Sequence, residues 1–249
     1  MATKITSKKA TSKKPVRKQE SSFGSKVKRF LFKALLWFFG FSIFSVVVFK
    51  FVPVPFTPLM VIRYFENVAD GKENHFSHDW EPIENISMNL QKAVIASEDG
   101  TFLTHNGFDF LAMQKAYKSN ERGRRIKGGS TISQQTAKNV FLWQGRSYLR
   151  KGLEAYFTVL IEMICGKKRI MEVYLNSIEM GDGVYGAHAA TQYWYRKDAS
   201  SLTKIQAAGI AAILPNPRKY KATSSSSYIN NRKAKIVRVM SHVGTINYK

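Results

Sequence analysis

The strongest constraint on this chain is a long apolar segment close to its N-terminus. Residues 34–49 contain no charged side chain, and a mainly apolar run of 23 residues extends from Phe30 to Val52. As an α-helix this run would be about 35 Å long, whereas the hydrocarbon core of a bilayer is about 30 Å thick. The stems of Lys33 and Lys50 are long enough to carry both charges toward the interfaces. We therefore predict one transmembrane helix at residues 30–52.

The distribution of charge sets the orientation of that helix. The chain carries 39 Lys and Arg against 17 Asp and Glu, a net charge of +22, and residues 1–33 hold 11 of the basic residues with one Glu. Basic segments tend to stay on the cytoplasmic side. We therefore predict a disordered basic cytoplasmic tail at residues 1–29 and a domain outside the cytoplasm at residues 53–249. A cleaved signal peptide is the alternative, but its apolar region is usually shorter.

The part of the chain after Pro53 has the size of one domain, roughly 190 residues. Apolar residues between Leu149 and Ile164 recur at the spacing of a helix with one face in a core. Alternating strand patterns are scarce, so we predict a mainly α-helical domain. The single cysteine, Cys165, excludes a disulfide within the chain and a four-cysteine zinc site. The predicted helices lie at residues 90–98, 131–142, 149–164, 170–178, 202–214 and 229–240.

Several common functional motifs are absent or lack their structural context. Residues 181–186 match the G-x-G-x-x-G pattern, but a predicted helix precedes them where a dinucleotide site needs a strand. We interpret them as a glycine-rich turn that ends a helix. His75 and His78 form the only close histidine pair, in a polar stretch typical of turns, so we do not expect metal ligation there. Ser130 lacks the Gly-x-Ser-x-Gly context of a serine hydrolase.

An acidic pair, Glu98-Asp99, closes an apolar helical segment just before Gly100. The C-terminal end of a helix has a negative potential, which disfavours an ionised carboxylate and raises its pKa. An ordinary solvated helix end fits the same residues. The position of the pair does not by itself decide its role.

A glycine-led segment, residues 128–135, has the features of a helix start. Thr131 and Gln134 stand at capping-box spacing, and the free N–H groups of such an end attract anions. Lys138 lies one turn further on, and four basic residues come just before the segment: Arg122, Arg124, Arg125 and Lys127. Phosphate would be a natural ligand there, and a capped surface helix is the alternative.

A polar stripe runs along the predicted helix at residues 149–164. Its members, Arg150, Glu154, Thr158 and Glu162, recur every four residues beside the apolar face. Most such stripes face water, and Arg150 with Glu154 also fits an exposed ion pair worth under about 1 kcal/mol. The stripe alone favours the exposed interpretation.

Three motifs follow one another at residues 98–109, 129–139 and 150–154. They read Glu-Asp-x-x-Phe-x-x-His-x-Gly-Phe-Asp, Gly-Ser-Thr-Ile-Ser-Gln-Gln-Thr-Ala-Lys-Asn and Arg-Lys-x-x-Glu. Tyr174-Leu175-Asn176, the glycines of residues 181–186 and Leu214-Pro215-Asn216-Pro217 continue the pattern. In content and order these motifs resemble glycosyltransferase family 51, the peptidoglycan transglycosylases. The similarity covers residues 53–240 without a penicillin-binding transpeptidase domain, so we expect a monofunctional member.

The resemblance implies a lysozyme-like helical glycosyltransferase domain that polymerises lipid II, an undecaprenyl-pyrophosphate disaccharide-pentapeptide, into β-1,4 glycan strands. In this family pattern Glu98 is the general base that takes the proton of the acceptor's 4-hydroxyl group. That hydroxyl attacks C1 of the donor and displaces undecaprenyl pyrophosphate with inversion. Glu154 matches the second acidic catalytic residue, which is assigned to the leaving-group side.

The resemblance also assigns residues to substrate binding. Three basic residues match positions near the pyrophosphate, where positive charge is needed as anionic charge grows: Lys138, Arg150 and Lys151. Three polar residues match the loop and helix start that line the donor site: Thr131, Gln134 and Gln135. The family usually has a polar residue such as Gln where this chain has Gly100, so we expect a looser loop there.

Location and partners follow from the same resemblance. We expect the inner (cytoplasmic) membrane with the catalytic domain on the periplasmic side, lipid II and the growing glycan strand as substrates, and cell-wall synthesis and division proteins as partners. No cofactor is expected to be required, with a divalent Mg or Mn ion optional, and no nucleic-acid recognition motif accompanies the positive charge. The alternatives are a lysozyme-like lytic enzyme, which needs no cations for a pyrophosphate, and a non-catalytic membrane-anchored scaffold.

Overall fold

The computed structural model describes residues 22–71, 75–121, 129–145 and 147–248. The first 21 residues of the predicted tail lie outside this part of the chain, and so do Arg122, Arg124, Arg125 and Lys127. The described residues form ten α-helices and three short strands, which confirms the prediction of a mainly α-helical protein. The helices are α1 (Ser22–Phe51), α2 (Pro58–Ala69), α3 (Met88–Glu98), α4 (Phe110–Glu121), α5 (Ile132–Phe141), α6 (Tyr148–Ile164), α7 (Gly166–Ser177), α8 (Ala187–Tyr195), α9 (Lys204–Ile213) and α10 (Ser227–Met240).

The chain divides into two compact units, residues 1–41 and residues 42–249. In the first unit α1 begins at Ser22 rather than at Phe30, so residues 22–29 are helical and not a disordered tail. The bilayer-length argument counts only apolar residues, whereas Lys and Arg are good helix formers that extend α1 beyond them. Residues 24–51 are long and apolar enough to cross a membrane. The helix ends at Phe51 because Pro53 cannot continue it.

The second unit contains all six helices predicted after residue 53, with boundaries within four residues, as α3, α5, α6, α7, α9 and α10. It also contains α2, α4 and α8, which the sequence analysis did not predict. In the core, α9 packs against α3 and α10, while α5 packs against α6 and α7. Helix α9 is rich in fully buried alanines, and a Cβ at Gly209 would lie 2.9 Å from the Ala222 carbonyl oxygen. Small side chains therefore let the neighbouring chain approach α9 closely.

A small sheet follows α7. Strands β2 (Glu179–Gly181) and β3 (Val184–Tyr185) form an antiparallel hairpin, and β1 (Ser77–His78) pairs with β3 in parallel. Gly183 has φ +70°, and a Cβ there would lie 1.8 Å from the His75 carbonyl oxygen. The turn therefore requires glycine. The G-x-G-x-x-G residues thus form a glycine-dependent hairpin after a helix, which agrees with the turn interpretation.

The last turns of α1 belong to the second unit and pack against α6 and α7. Val46 is fully buried, and the Ser42 and Tyr156 hydroxyl groups lie 2.7 Å apart. Arg169 of α7 donates hydrogen bonds from Nε to the Phe49 carbonyl (2.9 Å) and from Nη2 to the Val52 carbonyl (2.6 Å). This guanidinium satisfies carbonyl groups that a helix end leaves without partners.

Candidate active site

Glu98 is the last residue of α3 and is half-buried. Its Oε1 accepts a hydrogen bond from the Ser97 hydroxyl (3.0 Å), and its Oε2 accepts one from Gln135 Nε2 (3.2 Å). Burial raises the pKa of Glu98, and the two hydrogen bonds and the charge of Arg232 oppose that rise. The direction expected from the sequence is correct, but burial rather than the helix dipole is the main cause. A carboxylate of this kind is a better base than an exposed glutamate.

Tyr174 fixes the amide that contacts Glu98. Its buried hydroxyl group donates to Gln135 Oε1 (3.3 Å), which leaves Gln135 Nε2 directed at Glu98. Burial raises the pKa of Tyr174 well above its ordinary value, so the phenol stays protonated and remains a donor. Tyr174, Gln135 and Glu98 therefore form a chain of hydrogen bonds with one orientation.

Asp99 is buried and caps the start of α5. Its Oδ2 accepts a hydrogen bond from the Ile132 N–H (2.9 Å), and both carboxylate oxygens lie within 3.0 Å of His105 Nε2. His105 Nδ1 accepts from the Gly107 N–H (3.0 Å), so the ring proton is on Nε2 and points to Asp99. The anion at this helix end is thus the chain's own carboxylate. This finding does not support the expected phosphate site there.

The predicted capping box is present at the same helix start. The Gln134 N–H donates to Thr131 Oγ1 (3.2 Å), and the Thr131 N–H donates to Gln134 Oε1 (3.0 Å). Both side chains are buried, so α5 is not a surface helix. A role of Thr131 and Gln134 in the donor site stays a prediction, whereas their contribution to the shape of the helix start is direct.

Hydrogen bonds and burial hold the loop after Asp99 in place, whereas Gly100 led us to expect a looser loop. Thr101 donates a hydrogen bond to Asp109 Oδ2 (2.6 Å), and Phe102 is fully buried. Together with the contact between His105 and Asp99, these interactions hold both ends of the loop. A side chain after Asp99 is not needed to order it.

Glu154 lies at the centre of a cluster of positive charges. Its Oε2 accepts a hydrogen bond from Arg150 Nη1 (2.8 Å), and its Oε1 accepts one from Lys151 Nζ. The side chains of Arg150 and Glu154 are 11% and 4% exposed, so this is not the exposed ion pair of the alternative interpretation. Lys138 of α5 is half-buried, and burial lowers its pKa, with Glu154 opposing and Arg150 and Lys151 adding to the decrease.

This cluster, Lys138, Arg150, Lys151 and Glu154, holds three cations and one carboxylate. The ammonium group of Lys138 has no hydrogen-bond or ion-pair partner among the residues that the structure describes, and Arg150 Nε is buried without one there. A surplus of positive charge with unused donors suits an anionic ligand. A diphosphate has that character.

Helix α5 connects the surroundings of Glu98 with the cluster around Glu154. Gln135 contacts Glu98, and Lys138, three residues later, interacts with the Glu154 cluster. Residues three apart on a helix have Cβ atoms about 5–6 Å apart on one face. Gln135, Lys138 and Tyr174 also line one cleft of about 210 Å³. The candidate base and the cation cluster thus interact with positions one helical turn apart on α5.

A family model described as "Transglycosylase" matches residues 65–241 of the chain. The chain belongs to the transglycosylase family. A biosynthetic peptidoglycan transglycosylase of Caulobacter vibrioides is 56% identical over 192 residues, which are 77% of this chain and 81% of that protein. One of Pseudomonas syringae pv. syringae is 52% identical over 220 residues, 88% of this chain and 93% of that protein. One of Bacteroides thetaiotaomicron is 50% identical over 218 residues, 88% of each chain.

The polar stripe of this transglycosylase faces the protein interior rather than water. Thr158 is fully buried, and Glu162 accepts hydrogen bonds from the Ser133 hydroxyl and from Lys167 Nζ (2.7 Å). The exposed interpretation of the stripe is therefore wrong. It failed because the sequence of α6 does not show that α5 packs against the same face with polar side chains of its own.

Some cleft residues of the transglycosylase were not predicted. Arg63 of α2 and Gln144 line the cleft beside Lys138, and Arg63 lies 3.7 Å from Glu179. Arg63 Nε and Gln144 Nε2 are buried without a hydrogen-bond partner among the described residues. No motif marked these two positions, because Arg63 precedes the first motif and Gln144 follows the second.

Metal binding is a separate question. Among the residues that the structure describes, no three His, Cys, Asp or Glu side chains are grouped so that they could hold a metal ion. The optional divalent Mg or Mn ion therefore has no cage of protein ligands there and stays a prediction.

Proposed function

We propose that this transglycosylase polymerises lipid II into linear β-1,4 glycan strands of peptidoglycan. The observation that carries the proposal is the arrangement along α5, where Gln135 contacts a half-buried glutamate and Lys138 joins a cluster with surplus positive charge. A proton acceptor and an anion site that interact with neighbouring turns of one helix suit the attack of a hydroxyl group on a sugar whose leaving group is a diphosphate. The names of the relatives, biosynthetic peptidoglycan transglycosylases, agree with this reaction.

In the proposed reaction Glu98 accepts the proton from the 4-hydroxyl group of the acceptor sugar. The hydroxyl oxygen forms the new bond to C1 of the donor as the C1–O bond to the diphosphate breaks, which inverts the configuration. The electron pair of that bond leaves with undecaprenyl pyrophosphate. Lys138, Arg150 and Lys151 stabilise the negative charge that grows on the diphosphate, and Glu154 holds Arg150 and Lys151 in place.

The proposed location follows from α1. This helix spans the inner membrane, and the basic residues before it keep the N-terminus in the cytoplasm, so the catalytic domain lies on the periplasmic side. Lipid II and the growing strand reach the enzyme from the outer leaflet of that membrane. Contacts with other cell-wall synthesis and division proteins stay a prediction.

Labelled lipid II tests the function directly. The full chain in detergent should convert it into a ladder of long glycan strands with the release of undecaprenyl pyrophosphate. The same preparation should not shorten strands that were made beforehand, which separates synthesis from lysis. Absence of polymer across several detergents, with and without Mg or Mn, would contradict the proposal and favour a non-catalytic scaffold.

A further inference from the structure

Helix α2 is apolar on two sides, and its inner side buries Leu59 and Met60 against the protein. Two polar residues also lie on the inner side: Arg63 Nε is 3.7 Å from Glu179, and Asn67 is buried and accepts a hydrogen bond from Arg218 Nη2 (2.6 Å). Glu66, which pairs with Arg63, is exposed. In a helix on a water-exposed surface the apolar side faces the core and the charged side faces solvent. The environment on the outer side of α2 therefore needs a different explanation.

The outer side of α2 is a continuous apolar surface. Val61, Tyr64, Phe65 and Val68 follow the i, i+3, i+4, i+7 spacing of one helix face, and each is exposed, Phe65 by 64%. We call these four residues the outer stripe. Phe56 and Phe76 lie beside it, where the aromatic rings line a groove of about 370 Å³. No charged residue belongs to the outer stripe, so water is a poor environment for this surface.

The connection to α1 indicates what covers the outer stripe. Residues 52–57 join the two helices, and six residues can span at most about 20 Å. Val54, within this linker, is buried against Val140 and Val173, so the start of α2 stays close to the end of the apolar helix. Aromatic residues such as Tyr are enriched where proteins meet the interface of a bilayer. Most of α2 precedes residue 65, where the family match begins.

We propose that α2 lies in the membrane interface, with the outer stripe in contact with the lipids of the leaflet next to the catalytic domain. An ordinary interfacial helix turns its polar face to water, but the outer side of α2 is apolar, and Arg63 and Asn67 lie toward the protein. The helix is therefore held between the domain and the lipid. Its inner side carries Arg63 of the cleft, so the wall of the cleft is also part of the membrane contact. This inference rests on the membrane anchor of the proposed function.

Lipid-depth quenching tests the proposal on the full chain. In a Cys165→Ser background, Phe65→Cys and Val68→Cys are each labelled with an environment-sensitive fluorophore and reconstituted into phosphatidylethanolamine–phosphatidylglycerol vesicles with brominated acyl chains. Trp37→Cys in α1 reports on the anchor. Lys235→Cys on α10 is the matched control, because α10 exposes polar residues and buries Ile229, Ile236 and Met240.

The proposal predicts strong quenching at Phe65→Cys and Val68→Cys, within about twofold of Trp37→Cys, and none at Lys235→Cys. Quenching at Trp37→Cys with none at either α2 position would overturn the proposal while the anchor stands. Probes on α2 that are shielded from water but not quenched by lipid would also overturn it, since a second copy or another protein would then cover the outer stripe. No quenching at Trp37→Cys would refute the anchor itself.

Discussion

Two glutamates of the candidate active site occupy opposite electrostatic environments. Glu98 accepts hydrogen bonds from two neutral groups, Ser97 and Gln135, and burial raises its pKa. Glu154 is more deeply buried but accepts charge-assisted hydrogen bonds from Arg150 and Lys151. In the function that we propose, the same residue type takes a proton at one position and organises cations at the other. The proposed roles differ because the environments of the two glutamates differ.

The largest effect should come from removal of Glu98, the proposed base. We expect Glu98→Gln to reduce polymerisation by at least about 100-fold, because the amide keeps the shape but cannot accept the proton. The variant should melt at a higher temperature than the parent at neutral pH, since a neutral group replaces a buried carboxylate whose ionised form is disfavoured. Lipid II turnover and calorimetry check both statements. Turnover close to that of the parent would remove Glu98 as the base.

Loss of one cation should have a similar but separable effect. We expect Lys138→Met to slow transfer by about 100-fold, on the order of 3 kcal/mol, because positive charge acts most strongly as the diphosphate leaves. Arg150→Ala should match it, and Arg150→Lys should restore only part of the rate, since a point charge replaces a planar fork. Rate and lipid II binding are measured on the same preparations. Equal losses in binding and in rate would contradict a role in the transition state.

The pH profile of the rate tests Glu98 and Lys138 together, because the pKa of Glu98 is raised and the pKa of Lys138 is lowered. Activity requires ionised Glu98, so the acidic limb should lie above the range of an ordinary glutamate, and it should move further up in Gln135→Ala, because the hydrogen bond from Gln135 lowers the pKa of Glu98. The basic limb should lie below that of an ordinary lysine, because burial lowers the pKa of Lys138. Lys138→Met serves as the control, since it should leave the acidic limb in place. An unmoved acidic limb in Gln135→Ala would refute the link between these residues.

The smallest effect is expected for Tyr174, which stands at the end of the hydrogen-bond chain farthest from Glu98. Tyr174→Phe removes the donor that orients Gln135, and we expect a loss of about fivefold in rate, the size of one net hydrogen bond. Its acidic limb should move in the same direction as in Gln135→Ala but by less. A change in rate with no change in the pH profile would mean that Tyr174 only supports the fold.

The sequence predicted the parts of the fold that depend on local patterns. The capping box of Thr131 and Gln134 and the apolar face of α6 involve residues only a few positions apart, so spacing alone indicates them. Helix α2 was missed although Val61, Tyr64, Phe65 and Val68 recur at helical spacing. That spacing does not show that these four residues are exposed while Leu59 and Met60 pack toward the core.

Prediction of the site stopped where contacts join distant parts of the chain. Glu98 and Glu154 were named through the family resemblance, but the hydrogen bonds from Gln135 and Tyr174 cross 37 and 39 residues. The interior position of the α6 stripe depends on the partner helix in the same way. Tyr174 belongs to the Tyr-Leu-Asn motif at residues 174–176, but the motif does not show that its hydroxyl group contacts Gln135.

The hydrogen bonds from Arg169 to the Phe49 and Val52 carbonyls have a consequence for how the enzyme meets its substrates. When a flexible tether joins a domain to a membrane, the active site samples many distances from the bilayer. Its effective concentration at the distance of the substrate is therefore lower. Here the segment that would form such a tether is packed and hydrogen-bonded, so it contributes little of that freedom. With α1 in a bilayer, the search for a lipid-linked substrate becomes two-dimensional. Lateral diffusion in the leaflet, rather than the reach of a linker, then limits the frequency of encounter.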